Sequence, residues 1–164
     1  MMRALSGVFL ALLMIPPALA QTTGTPADHE ALSRLKADAV AAVNQRDYTV
    51  AQRILHRPFM ATLITQDSFS DFDALKDYFE SLYTRDFNRI ARIAMTAEAD
   101  EYSQIYQGTF ALTKGSTKEH YELASGQTFD VAGRWTAVSM KDGADWKLLA
   151  VHTGTNFLDN PVLH

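Results

Sequence analysis

Arg134 and His152 are the side chains in this sequence whose types and setting best suit chemistry. A guanidinium binds a carboxylate or polarises a carbonyl, and an imidazole transfers a proton near neutral pH. Each stands in a run with strand character. Val131–Met140 and Trp146–Thr155 are rich in β-branched and aromatic residues and contain no proline. Asp142-Gly143 between them is a hairpin signal, because glycine accepts the positive φ of a tight reversal. Alternation puts Arg134, Thr136, Val138 and Met140 on one face of the first run. It puts Trp146, Leu148, Ala150 and His152 on one face of the second. A loop with an odd number of residues brings Arg134 near His152, and an even number separates them. The alternatives are an ion pair for Arg134 and a hydrogen-bonded core or interface position for His152.

Tyr106 and Tyr121 also sit in strand-patterned runs. A phenol there either donates to a developing oxyanion or packs its ring and keeps its hydroxyl wet. An isomerase would need an aspartate base beside them. Asp67 falls at a strand end and Asp130 borders a turn, so neither is well placed. In the tail, Asn156 and Asp159 either face a ligand or, with Asn160, bond locally ahead of Pro161 as a structural stop. No metal is expected: His29, His56, His120, His152 and His164 lack the spacing of a His-x-His or His-Glu-x-x-His site. Lys114-Gly115-Ser116-Thr117-Lys118 lacks the order of a phosphate loop and reads as a turn. There is no cysteine and no Gly-x-Ser-x-Gly elbow, so a thiol nucleophile is excluded and no cofactor is expected.

These residues need elements to position them. Thr25-Pro26-Ala27-Asp28 has the form of a helix start, and Leu32, Leu35, Ala39 and Val43 continue one apolar face to about Arg46. Asp47 caps a shorter helix through Leu55, ended by Arg57-Pro58. Phe59–Thr65 alternates as a strand. Asp71 or Ser70 caps a third helix to about Tyr83, striped by Phe72, Leu75, Phe79 and Leu82. Ile90–Ala97, Ser103–Thr113 and His120–Leu123 are further strands, with turns at Lys114-Gly115-Ser116 and Ser125-Gly126. Helices first and antiparallel strands after argue for an α+β domain with helices on one side of a curved sheet.

The residues Gly133-Arg-Trp-Thr-Ala-Val138, then Asp142-Gly-Ala-Asp-Trp-Lys147, His152 and Leu158-Asp-Asn-Pro161 resemble the C-terminal strands of nuclear transport factor 2-like proteins, in their SnoaL-like branch. The detailed resemblance covers about Gly115 to Leu163, and the upstream elements fit its order. It implies a cone-shaped curved antiparallel sheet, with N-terminal helices packed on one face and a pocket between them. Such pockets are mostly apolar with a few placed polar groups. The superfamily hosts isomerases, dehydratases, cyclases, hydrolases and non-catalytic association domains, so one fold leaves function open.

At the N-terminus, Arg3, the apolar run Leu5–Ile15, Pro16-Pro17 and Ala18-Leu19-Ala20 form a signal-peptide pattern over residues 1–20. The apolar run is shorter than the roughly 20 residues that span a bilayer. The expectation is export to the periplasm or beyond the cell, cleavage before Gln21, a flexible leader over 21–27 and one domain over 28–164. Without cysteine there is no disulfide support, so core packing, with dimerisation as a second contributor, must hold that domain together. A net charge of −4 without a basic stripe argues against nucleic acid and anionic membranes as partners. The leading reading is a protein that binds a small apolar or carboxylate-bearing molecule in the cone, with Arg134, Trp135, His152, Tyr106 and Tyr121 as candidate contacts. The alternatives are a metal-independent isomerase, dehydratase or hydrolase using His152 and Arg134, and a homodimerisation module without catalysis.

Overall fold

The computed structural model describes residues 24–155. The signal-peptide pattern and the tail from Asn156 onward, with Asp159, lie outside the described residues.

Helix α1 spans Pro26–Gln45, α2 Tyr48–Ile54 and α3 Phe72–Thr84. Strands are β1 Leu55–Thr62, β2 Ser68–Phe69, β3 Ile90–Ala99, β4 Gln104–Tyr106, β5 Phe110–Leu123, β6 Thr128–Asp142 and β7 Asp145–Thr155. The α1 start is a capping box: the Asp28 N–H donates to the Thr25 hydroxyl, and the Thr25 N–H donates back to the Asp28 carboxylate. Arg46, at φ 55°, closes the helix in the left-handed conformation. Asp47 and Asp71 cap α2 and α3.

The strands form one sheet in the order β2-β1-β7-β6-β5-β3, with β4 paired to β5. All pairings are antiparallel except β1 with β7. The expected all-antiparallel sheet is therefore mixed. The chain between β1 and β7 is long enough to return in the same direction, which a hairpin cannot do. Two apolar clusters lie between helices and sheet. One joins Leu32 and Leu35 to Ile105 and Trp146; the other joins Phe59, Ala61 and Leu75.

Two expected breaks are not breaks. β5 runs uninterrupted through Lys114-Gly115-Ser116, and the reversal instead falls at Gln107-Gly108, with φ 51° and 65°. Gly115 is needed for close approach. A Cβ there would lie 1.9 Å from the Glu98 carbonyl oxygen and 2.6 Å from the Trp135 ring. Arg57-Pro58 lies inside β1, after a helix that already ended at Ile54, where the β1–β7 register is irregular.

The hairpin that carries Arg134 and His152 has a two-residue turn, Gly143-Ala144, between the paired Asp142 and Asp145. Parity then changes within β7. Ser139 pairs with Leu148 but Val138 pairs with Ala150, so Leu149 is the extra residue of a bulge. Trp146 and Leu148 consequently share a face with Val151 and Thr153, while Ala150 and His152 turn to the other.

Candidate functional site

A cavity of about 390 Å³ lies between α1 and the concave face of the sheet. Four strands and one helix build its wall by alternation. β3 contributes Met95, Ala97 and Ala99; β5 contributes Thr113 and Thr117; β6 contributes Trp135, Ala137 and Ser139; β7 contributes Leu148, Val151 and Thr153. From α1 come Leu32, Leu35, Ala39 and Val40, with His29, Ser33 and Lys36 toward the mouth beside Glu101, Tyr102 and Ser103. The volume falls within the range of small-molecule sites, roughly 300–1,000 Å³.

Small residues make that space. Gly133, across from Thr117, leaves room for its hydroxyl: a Cβ at 133 would stand 2.6 Å from Thr117 Oγ1. Trp135 packs over Gly115 and donates from its indole to the Ser116 carbonyl oxygen at 3.2 Å. Thr117 is only 4 % exposed, and its Oγ1 has no hydrogen-bond partner. A buried hydroxyl left unpaired costs about 1–3 kcal/mol, so this residue of the cavity wall is where a ligand polar atom would gain most. At the mouth, the Ser103 and Thr113 hydroxyls bond each other at 2.7 Å, and the His29 ring meets Tyr102 edge-on at 5.1 Å.

Asp28 fixes α1 over this space. Its carboxylate accepts from Lys141 Nζ at 2.9 Å, Trp146 Nε1 at 3.1 Å and the Thr25 hydroxyl at 2.8 Å. The Lys141 bond, followed by those from Thr25 and Trp146, holds the carboxyl well below its ordinary pKa, against the opposing effect of burial. Glu119 behaves oppositely. It is buried on the same concave face and accepts a hydrogen bond from Tyr121, and burial pushes its pKa up.

The expected contacts separate. Trp135 lines the cavity. Arg134 and His152 do lie on one face, diagonal neighbours across β6 and β7, but it is the outer face. The pairings Arg134 with Gly154 and Thr136 with His152 alternate with the cavity-lining pair Trp135 and Thr153. This corrects their expected place on the concave face: alternation with the inward-facing Trp135 turns Arg134 outward, and the Leu149 bulge turns His152 outward. Arg134 is held there by Asp100, to which Nη1 donates at 2.9 Å and Nη2 donates as well. That ion pair lowers the Asp100 pKa and raises that of Arg134.

Tyr121 is half-buried on the concave side outside the cavity lining, stacked on Phe129 at 4.9 Å, with its hydroxyl on Glu119. Burial, and next the Glu119 charge, raise its pKa. Tyr106 lies on β4 and donates to Gln104 Oε1 at 2.9 Å. Asp67 accepts from Thr65 at 2.8 Å, and Asp130 meets His120 Nδ1 at 2.8 Å, so neither carboxylate lines the cavity. Sequence reasoning missed Thr117, Ser139, His29 and Lys36. The signal for Thr117 was its place in an alternating run with Thr113 and Gly115, hidden by reading a turn at Lys114-Gly115-Ser116. Among the described residues no group of three His, Cys, Asp or Glu could hold a metal ion, and no helix is long and apolar enough to cross a membrane.

Comparison with solved structures defines the class. A hexachlorocyclohexane dehydrochlorinase (LinA) type 2 superposes with a TM-score of 0.70 at 13% identity, over 80% of this chain and 86% of that one. The LinA-type3 dehydrochlorinase of Novosphingobium barchaimii LL02 gives 0.68 at 14%, over 80% and 88%. A ketosteroid isomerase-like protein from Erwinia carotovora atroseptica gives 0.67 at 12%, over 80% and 98%. At these identities the likeness is one of fold. The chain has the nuclear transport factor 2-like fold, an α+β cone of three helices on a curved mixed sheet. No protein-family model matches the chain, and no curated protein does.

Proposed function

We propose that this chain is exported and binds a small, largely apolar molecule in the cavity between α1 and the concave face of the sheet. The observation that carries the reading is the cavity itself: about 390 Å³ of space, walled mainly by aliphatic side chains and Trp135, with the unpaired Thr117 hydroxyl in its wall. Export rests on the pattern of residues 1–20. Native mass spectrometry of the protein recovered from its exported form tests both parts. The expected result is a chain beginning at Gln21 that retains a small-molecule mass, with that mass absent from Ala137→Trp, which fills the cavity. A chain that still carries residues 1–20 contradicts cleavage, and an unchanged bound mass in Ala137→Trp contradicts the site.

A second reading, homodimerisation, is favoured by the outer face. Leu112, Val138, Ala150 and Met60 form one register-matched apolar row across β5, β6, β7 and β1. Met60 is 58 % exposed, and Leu112 and the neighbouring Phe110 are 41 % exposed. A second copy of the same face would cover this row by two-fold symmetry. Sedimentation at micromolar concentration should show a dimer that Val138→Lys converts to monomer; a monomeric parent protein contradicts it.

A further inference from the structure

A second cavity, of about 140 Å³, lies farther along the same face of α1, toward its C-terminal end, between α1, α2, α3 and β1. Ala39 of α1 and Val151 of β7 line both cavities, so these two side chains stand where one gives way to the other. The smaller chamber is aliphatic and aromatic through residues such as Leu63, Leu75 and Phe79, and its charged residues are of one sign. Arg46 and Lys76 line it, and no carboxylate does. The larger cavity has both signs, Lys36 and Glu101.

Each of the two cations rests on an aromatic ring. The Arg46 guanidinium is 4.0 Å from the Tyr83 ring centroid, and Lys76 Nζ is 5.7 Å from that of Tyr48. Among the described residues neither forms an ion pair. The Tyr48 hydroxyl is buried and has no hydrogen-bond partner. Three donors with no side-chain acceptor among the described residues thus border one small apolar chamber, the Tyr48 hydroxyl buried, Lys76 half-buried and Arg46 exposed. Charge-assisted hydrogen bonds to an anion are about twice as strong as neutral ones, and a buried hydroxyl gains from any acceptor that reaches it.

We infer that the two chambers form one elongated site for an apolar molecule with an anionic end group. The anionic end lies among Arg46, Lys76 and Tyr48, and the apolar body passes between Ala39 and Val151 into the larger cavity. This deepens the binding reading above and rests on it. The carboxylate-binding role first expected of Arg134 passes to Arg46 and Lys76, since Arg134 is already paired with Asp100.

Calorimetric titration of the mature protein with decanoate and with decan-1-ol tests it. Decanoate should bind about tenfold or more tighter than decan-1-ol, the size of one charged hydrogen bond. The double variant Arg46→Gln/Lys76→Gln should lose that preference, with the loss falling on decanoate. From hexanoate to decanoate the affinity should rise by about fourfold per methylene, and Ala39→Leu, which narrows the passage, should flatten the rise. Equal affinities for acid and alcohol, a preference that survives the double variant, or an unchanged rise in Ala39→Leu would overturn the inference while leaving the cavity reading intact. No binding of either compound would overturn both.

Discussion

On β6, Trp135, Ala137 and Ser139 stand around a cavity, while Arg134, Thr136 and Val138, one residue away on the same strand, face outward. The two faces differ in how their polar groups are satisfied. Outside, Arg134 has Asp100, His120 has Asp130, and Arg92 has Glu122, all with solvent at hand. Such pairs contribute little and leave nothing for a ligand to complete. Inside, polar atoms are few, and one of them, Thr117 Oγ1, has no partner. The chemistry-bearing residue types are therefore a poor guide to this site. Small residues that leave space, Gly133, Ala97 and Ala137, are a better one.

The largest effect that would sharpen this contrast is on binding. Ala137→Trp should weaken an apolar ligand such as decan-1-ol by about 100-fold, equivalent to about 2.7 kcal/mol, whereas Arg134→Ala and His152→Ala should leave its affinity within about twofold, as measured by titration. A large loss in Arg134→Ala would move the site to the outer face. Next is the attachment of α1. Asp28→Ala removes a buried carboxylate that four donors share, and should lower unfolding stability by about 2.5 kcal/mol in denaturant titrations.

The pH dependence of the same carboxyl has a definite sign. Its folded pKa is depressed, so its stabilisation is complete above the ordinary value of 3.8 and is lost as pH falls below it. The parent protein and Asp28→Ala should thus converge in stability on acidification. Gly115→Ala comes third, at about 2 kcal/mol, because the added methyl meets a carbonyl oxygen and the Trp135 ring.

Glu119 should give the smallest change and the opposite sign. Its folded pKa is raised by burial, so the folded chain holds this proton more tightly than the unfolded one. Its carboxylate form then disfavours folding as pH rises above the ordinary 4.5 and through the raised value. Glu119→Gln should be more thermostable than the parent at pH 8 and indistinguishable from it at pH 4. A Glu119→Gln protein that is less stable at pH 8 would show the Tyr121 hydrogen bond to outweigh the burial.

Much of the fold was legible in the sequence. Thr25, Asp47 and Asp71 mark the helix starts through their capping side chains, and Asp142-Gly143 marks the last hairpin. The site was less so. Where His152 points depends on a one-residue bulge at Leu149, which leaves no trace in β-propensity, while Arg134 faces outward because its neighbour Trp135 faces in. Gly115 read as a turn because glycine signals both reversal and close approach, and only the Trp135 ring above it decides between them. The second chamber was invisible for a similar reason: Arg46, Tyr48 and Lys76 come from three different helical positions that only tertiary packing brings together.

The most direct test of the concave site uses the side-chain N–H groups that report on each face. The sequence has two tryptophans: Trp135 lines the cavity, and Trp146 bonds Asp28 outside it. Arg134 Nε–H reports on the outer face. In ¹⁵N–¹H spectra recorded during a titration with decan-1-ol, the Trp135 indole resonance should move to saturation while Trp146 and Arg134 Nε–H move little. A saturating shift at Arg134 Nε–H with Trp135 unmoved would contradict the account and place binding on the outer face.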